Sequence, residues 1–155
     1  MCIRDSNTAR SVLDVFNDLY AMFGRETYCR LFPVILTDRG SEFSNPVPIE
    51  QDENDELRSL VFYCNPSVPY QKGGIEVAHE LVRRVLPKGK SFDDLQQEDI
   101  DLMLSHINSY KRGKLNSRSA YQLFNFIYGD DILPKLNIRE IEANDIVLSP
   151  KLLKK

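Results

Sequence analysis

Long apolar runs are absent from this 155-residue chain. No stretch approaches the ~20 residues that a membrane span requires, so the sequence reads as that of a protein without membrane partners. The opening Met1-Cys2-Ile3-Arg4-Asp5-Ser6 has none of the apolar core of a secretory signal, and a cytoplasmic location is the expectation. Cysteine is scarce. Cys2, Cys29 and Cys64 are odd in number and widely spaced, which excludes a disulfide framework and a zinc pattern and leaves buried or idle thiols. A strong excess of one charge is lacking as well: the formal net charge is −3, which argues against a protein that simply coats nucleic acid. Internal repeats and low-complexity tracts are missing. What remains is an ordinary apolar and charged composition, long enough for one domain with a modest core.

The charge that is present is unevenly spread. Acids cluster at Glu50, Asp52, Glu53, Asp55 and Glu56, whereas Lys72, Arg83, Arg84, Lys88 and Lys90 crowd one short window. Taken alone, a cluster of either sign is most simply a solvated face.

Apolar residues recur at helical spacing over 8–23 (Val12, Leu13, Phe16, Leu19, Tyr20, Phe23), with Asn7 or Thr8 to cap the start and Gly24 to end it. Leu31–Leu36 is a short β-rich run closed by the turn signal Thr37-Asp38-Arg39-Gly40, and Ser59–Cys64 reads as a second strand. The polar, acidic stretch 44–57 between them reads as a surface loop, and 65–74 as a second loop. A helix is expected over about 75–86, stopped by Pro87 and Gly89, and another from near Ser91, where Ser91 and Asp94 make a capping-box-like pair. A short helix over 119–128 offers Tyr121, Leu123, Phe124 and Ile127 for packing, and a mixed tail follows from Ile132. Two strands make no stable sheet for a domain of this size, so the α/β pattern points to further strands before residue 1.

Two places carry chemistry. An Asp just past the C-terminal end of a buried strand stands where open α/β sheets put their ligand sites, although this short motif taken alone is more simply a turn capped by Asp38. In the helix from Ile75, at about 100° per residue, Glu76, His79, Glu80 and Arg83 share one stripe while Ile75, Ala78, Leu81, Val82 and Val85 lie opposite. An amphipathic surface helix accounts for those charges. It leaves unexplained why Lys72-Gly73-Gly74 leads directly into the first carboxylate, an entry that lets another backbone or a nucleic acid come close. Converging carboxylates on separate elements are how Mg²⁺ or Mn²⁺ is held for phosphoryl transfer, and a metal pair calls for a third acid beyond Asp38 and Glu76.

From about residue 9 onward the chain resembles the DDE transposases of insertion-sequence family thirty, relatives of retroviral integrases. The pieces that carry the resemblance are Leu36-Thr37-Asp38-Arg39-Gly40-Ser41-Glu42-Phe43, Phe62-Tyr63-Cys64-Asn65-Pro66, Gln71-Lys72-Gly73-Gly74-Ile75-Glu76, His79-Glu80, 83–89, 105–110 and Asn144-Asp145-Ile146-Val147-Leu148. Each alone is weak; in this order they are specific. The resemblance implies a ribonuclease H-like integrase catalytic core, here N-terminally truncated and followed by C-terminal helices. Residues 1–8 would be a leader outside the family, 9–128 the partial core, and 129–155 a C-terminal tail.

By the same resemblance Asp38 and Glu76 are the second and third catalytic, metal-binding carboxylates of a two-metal Mg²⁺ (or Mn²⁺) site. Lys72, Arg83, Arg84 and Lys88 would bind DNA, and His79 would orient a ligand or a phosphate, or bond within its own helix. The family's first Asp lies upstream; Asp14 and Asp18 stand on the helix before the strand of Asp38. Arg39 departs from the Asn the family usually has after its Asp. The implied function is DNA transposition by metal-dependent cleavage of transposon ends and strand transfer into target DNA, in a homo-oligomeric complex. The alternatives are an inactive transposase remnant, or an all-α interaction module with no nucleic-acid role.

Overall fold

Helix α1 (Ala9–Phe23) begins where the apolar period begins. Thr8 caps it: its hydroxyl accepts from the Ser11 amide while Ser11 Oγ accepts from the Thr8 amide. Gly24, at φ 74°, ends it in a conformation that favours glycine. The structure, a computed structural model, describes residues 1, 6, 8–65, 73–89 and 91–153. These fall into two units, one ending at Gly73 and one running on from Gly74.

In the first unit α2 (Arg25–Leu31) follows α1 at once, a helix too short to announce itself by periodicity. It buries Tyr28 completely, with ring centroids 5.2 Å from Tyr20 and 5.0 Å from Phe32. Strand β1 (Val34–Thr37) then pairs in parallel with β2 (Leu60–Tyr63), Val34 opposite Leu60 and Leu36 opposite Phe62. The period of two sends these four residues to one face, where they are 42–54% exposed. Among the described residues the N-terminal unit thus has a two-stranded parallel ribbon with one bare apolar face.

The expectation of a surface loop over 44–57 needs correction. The segment holds helix α3 (Val47–Glu50), which buries Ile49, and an antiparallel bridge between Gln51 and Leu57 closes the acidic turn. Four residues of helix are too few to produce a readable period, and the surrounding acids mask them. Asp52 organises the turn. Its carboxylate accepts from Tyr20 Oη (2.8 Å), Arg25 (2.7 Å) and the amides of Asn54 and Glu56. The Tyr20 hydroxyl, ahead of the two amides and Arg25, holds that carboxyl below the usual range. Arg58, only 4% exposed, donates to the carbonyls of Ile49 and Pro48 and to Asn17 Oδ1, and lies over the rings of Tyr20 and Tyr28.

The second unit is helical. Its core joins Leu81, Val85 and Leu86, from α4 (Gly73–Val85) and the residue after it, to Ile100, Met103 and Ile107 of α5 (Gln97–Ser109). Leu148, and Leu152 and Leu153 of the last described turn, Pro150–Leu153, pack on this cluster. Helix α5 starts later than Ser91 and Asp94 suggest. Ser91 Oγ accepts instead from the Asp93 amide, Leu95 N donates to Phe92 O, and Asp99 accepts from the Gln96 amide where the helix begins. A serine followed by two acids serves a turn as readily as a cap, which is why the pattern misplaces the start.

A two-residue hairpin, β3 (Lys111–Arg112) with β4 (Arg118–Ser119), leads into α6 (Ala120–Tyr128), capped reciprocally by Ser119 and Gln122. Ile127, expected to pack, is exposed, as is Phe126 at 81%. The tail is more integrated than its mixed composition suggests. Ile132 and Leu133 of α7 (Ile132–Lys135) and Ile138 beyond it are buried. The chain then runs along α5: Asn137 Nδ2 donates to Asp101, the amides of Arg139 and Ile141 to Ser105 and Ser109, and the Val147 amide to His106 Nδ1. No helix among the described residues is long and apolar enough to cross a membrane.

Candidate active site

Asp38 stands immediately after β1, exposed, at the C-terminal end of a parallel strand. Its Oδ1 accepts the Gly40 amide at 3.1 Å, so the carboxylate does hold a turn, and the same bond fixes its direction. Glu42, on the single helical turn Ser41–Phe43, folds back over Gly40: a Cβ at that glycine would lie 2.5 Å from Glu42 Oε2. The loop therefore carries a second carboxylate, folded against Gly40, within the quoted motif yet unassigned by it. Tyr63 Oη donates to the Phe43 carbonyl and ties the far end of this turn to β2.

Glu76 belongs to the other unit, in the first turn of α4, and it is exposed together with His79, Glu80 and Arg83. The opposite face supplies Leu81 and Val85 to the core, so the stripe expected from the sequence forms, and core packing turns it to solvent. Ile75, expected on the apolar side, is instead exposed, because the first turn of the helix projects beyond the core cluster. Arg84 reaches back one turn to Glu80 at 3.0 Å, an exposed pair of small energetic weight that nevertheless turns its guanidinium toward that acid. Arg83 and Lys88 are exposed. Lys72, like Lys90, lies outside the described residues. Among the described residues no group of three His, Cys, Asp or Glu side chains is placed to hold a metal ion.

Arg83, Lys88 and His79 share a groove of about 370 Å³ with Val82, Leu86, Pro87, Gly89 and Phe92. Its floor is apolar and its rim cationic. Phe92 was not singled out by the sequence; the available signal was an aromatic residue set among turn formers directly after a basic helix.

Known proteins give this arrangement a context. Over 120 residues (77% of the chain) it is 30% identical to the putative integrase ORF3 of Spiroplasma virus SpV1-R8A2 B. Over 63 residues (41%) it is 35% identical to the transposase for insertion sequence element IS1086 of Cupriavidus metallidurans, and 27% identical to the transposase InsI for insertion sequence element IS30A of Escherichia coli. The chain is thus similar to transposases of insertion-sequence elements, those of family thirty among them. The chain spans 35%, 19% and 16% of the length of those three proteins. No protein-family model matches it, and no solved structure does.

Proposed function

We propose that this transposase relative is part of a ribonuclease H-like integrase catalytic core that acts on DNA by phosphoryl transfer, cutting transposon ends and joining them to target DNA. The observation that carries the reading is Asp38, fixed by its own turn at the C-terminal end of a parallel strand, in a chain whose relatives are named transposases and integrase. Two further features support it. Glu76 is displayed on the solvent face of α4 with basic groups on the same helix, and the apolar face of the β1–β2 ribbon is bare where parallel sheets are ordinarily covered on both sides. A packed layer supplied by a longer polypeptide would cover that face.

Asp38 and Glu76 are acceptor-only, exposed carboxylates, a donor chemistry that suits Mg²⁺ or Mn²⁺. These two residues would hold such ions, which when bound supply Lewis-acid activation of the attacking hydroxyl and of the scissile phosphate. The chain's own work is to orient the carboxylates and to bind phosphate: Gly40 aims Asp38, the α4 stripe presents Glu76, and Arg83 and Lys88 hold the DNA backbone. Arg84 contributes less directly, since Glu80 engages it. Lys72 would add a phosphate contact at the entry to α4. The active complex would be a homo-oligomer on DNA.

Iron-directed backbone cleavage tests the site. Fe²⁺ replacing Mg²⁺, with peroxide, should cut the chain near both Asp38 and Glu76; excess Mg²⁺ should suppress both cuts, and Asp38→Asn or Glu76→Gln should remove both together. Cuts at one position alone, or none that Mg²⁺ suppresses, would sink the shared site.

A further inference from the structure

The groove at the end of α4 carries more than a set of phosphate contacts. Phe92 is 57% exposed and stands at its edge. It is held there rather than left loose: the Leu95 amide bonds to its carbonyl, and Leu95 packs against the core cluster one turn later. Gly89, at φ 84°, turns the chain between helix and phenyl, and a side chain there would meet open space. Its requirement is thus for the backbone conformation alone. Arg83, Lys88 and His79, all exposed, line the same groove, with the more buried Val82, Leu86 and Pro87. Among the described residues none of these three basic groups has an ion-pair partner, in contrast to Arg84. The neighbouring acids Asp93 and Asp94 do not line the groove, and Asp93 is taken up by Ser91.

An exposed ring rimmed by unpaired cations is the combination that binds single-stranded nucleic acid: bases stack on the aromatic face while phosphates meet the basic rim. At about 370 Å³ the groove lies near the small end of the roughly 300–1,000 Å³ of ligand clefts, a volume that suits one nucleoside unit. A base inside a duplex is covered on both faces, so only an unpaired base can use the ring. We infer that this groove binds an unpaired nucleotide of DNA, its base stacked on Phe92 and its flanking phosphates held by Arg83 and Lys88 with His79 beside them. The inference rests on the DNA-acting reading above and adds to it a preference for a single-stranded or frayed strand end.

The test uses the chain as it stands, with a fluorescently labelled oligothymidine and a blunt duplex of equal length, each titrated over a range of salt. Single strand should bind the more tightly. Phe92→Ala should weaken it about tenfold with little change in salt slope, and should leave the duplex unaffected. Arg83→Ala and Lys88→Ala should each lower the single-strand slope by about 0.7. The sequence contains no tryptophan, so Phe92→Trp makes position 92 the sole reporter: oligothymidine should quench its fluorescence while duplex leaves it unchanged. If Phe92→Ala leaves single-strand affinity intact, or the Phe92→Trp fluorescence does not respond, the stacking site is overturned. Duplex binding with a steep salt slope in that case leaves the broader reading standing. Absence of salt-dependent binding to either DNA overturns both.

Discussion

His106 shows how a single residue ties the second unit to pH. It is buried in α5, and its Nδ1 accepts the Val147 amide at 3.1 Å, which requires that nitrogen to be unprotonated. Burial, and then the charge of Arg139, lower its pKa from 6.5, while Asp145 opposes them. The folded state therefore prefers neutral imidazole. The stabilisation is complete above pH 6.5 and is lost as the pH falls from there through the lower folded value. Thermal melts should show the midpoint dropping between pH 7.5 and pH 5, and His106→Gln should flatten that dependence; an unchanged dependence would detach the effect from His106. Arg58 is the corresponding residue of the first unit. Arg58→Ala would abandon two carbonyls and Asn17 in a buried place and should cost about 2–4 kcal/mol in denaturant unfolding. Nothing in the sequence marks Arg58 as buried: it follows the acidic cluster and reads as surface charge, and only the folded Tyr20 and Tyr28 rings give it an interior.

At the level of elements, the reading of the sequence worked where one face is buried for three turns or more. Helix α1 and the α4 stripe emerge with their apolar sides inward, because core contacts recur at the helical period; α6, with no buried residue, emerges with its Ser119 cap. It failed where elements are short. Helices α2 and α3 hold too few residues to show a period, and Ser91 could serve turn or cap. For the candidate site, Asp38 and the α4 stripe were legible as positions. Glu42 folding over Gly40, Arg84 turned to Glu80 and Phe92 at the groove are conformational facts, which residue types alone do not fix. The run of the tail along α5 is another. Ser109→Ala would leave the Ile141 amide without its acceptor and should lower stability by about 1–2 kcal/mol, with faster hydrogen exchange at that amide. Exchange unaltered there would mean that the hydroxyl contributes nothing.

At the scale of the whole molecule the proposed reading raises one chemical question. On the proposed reading, two nearby divalent ions would repel strongly and need carboxylates to offset them; Asp38 and Glu76 would bring two, where the resemblance implies three. The 155-residue chain should accordingly show no Mg²⁺-dependent strand transfer on labelled transposon ends, and a longer polypeptide that supplies an upstream strand with its Asp should show it until Glu76→Gln abolishes it. Strand transfer by the chain alone would mean that the first acid has been misplaced. The bare ribbon face bears on handling. Phe62→Thr removes apolar surface that is already half in water, so it should change stability by no more than about 0.5 kcal/mol while lowering light scattering at high concentration. A large loss of stability would show that the face is covered in solution.

The tail's path along α5 has a consequence in simple lengths. Partners advance by two residues in the tail, from Arg139 to Ile141, and by four in the helix, from Ser105 to Ser109. Two residues of extended chain cover about 6.6 Å and four of helix about 6.0 Å, so the two rulers slip by roughly half an ångström at each mark. Like the scales of a vernier they coincide over a short interval and then part. The clasp is limited to a few rungs by arithmetic, and its register is fixed to whole steps: removing a single residue between Asn137 and Ile141 would put every amide on the wrong side, whereas removing two would bring each to the next notch.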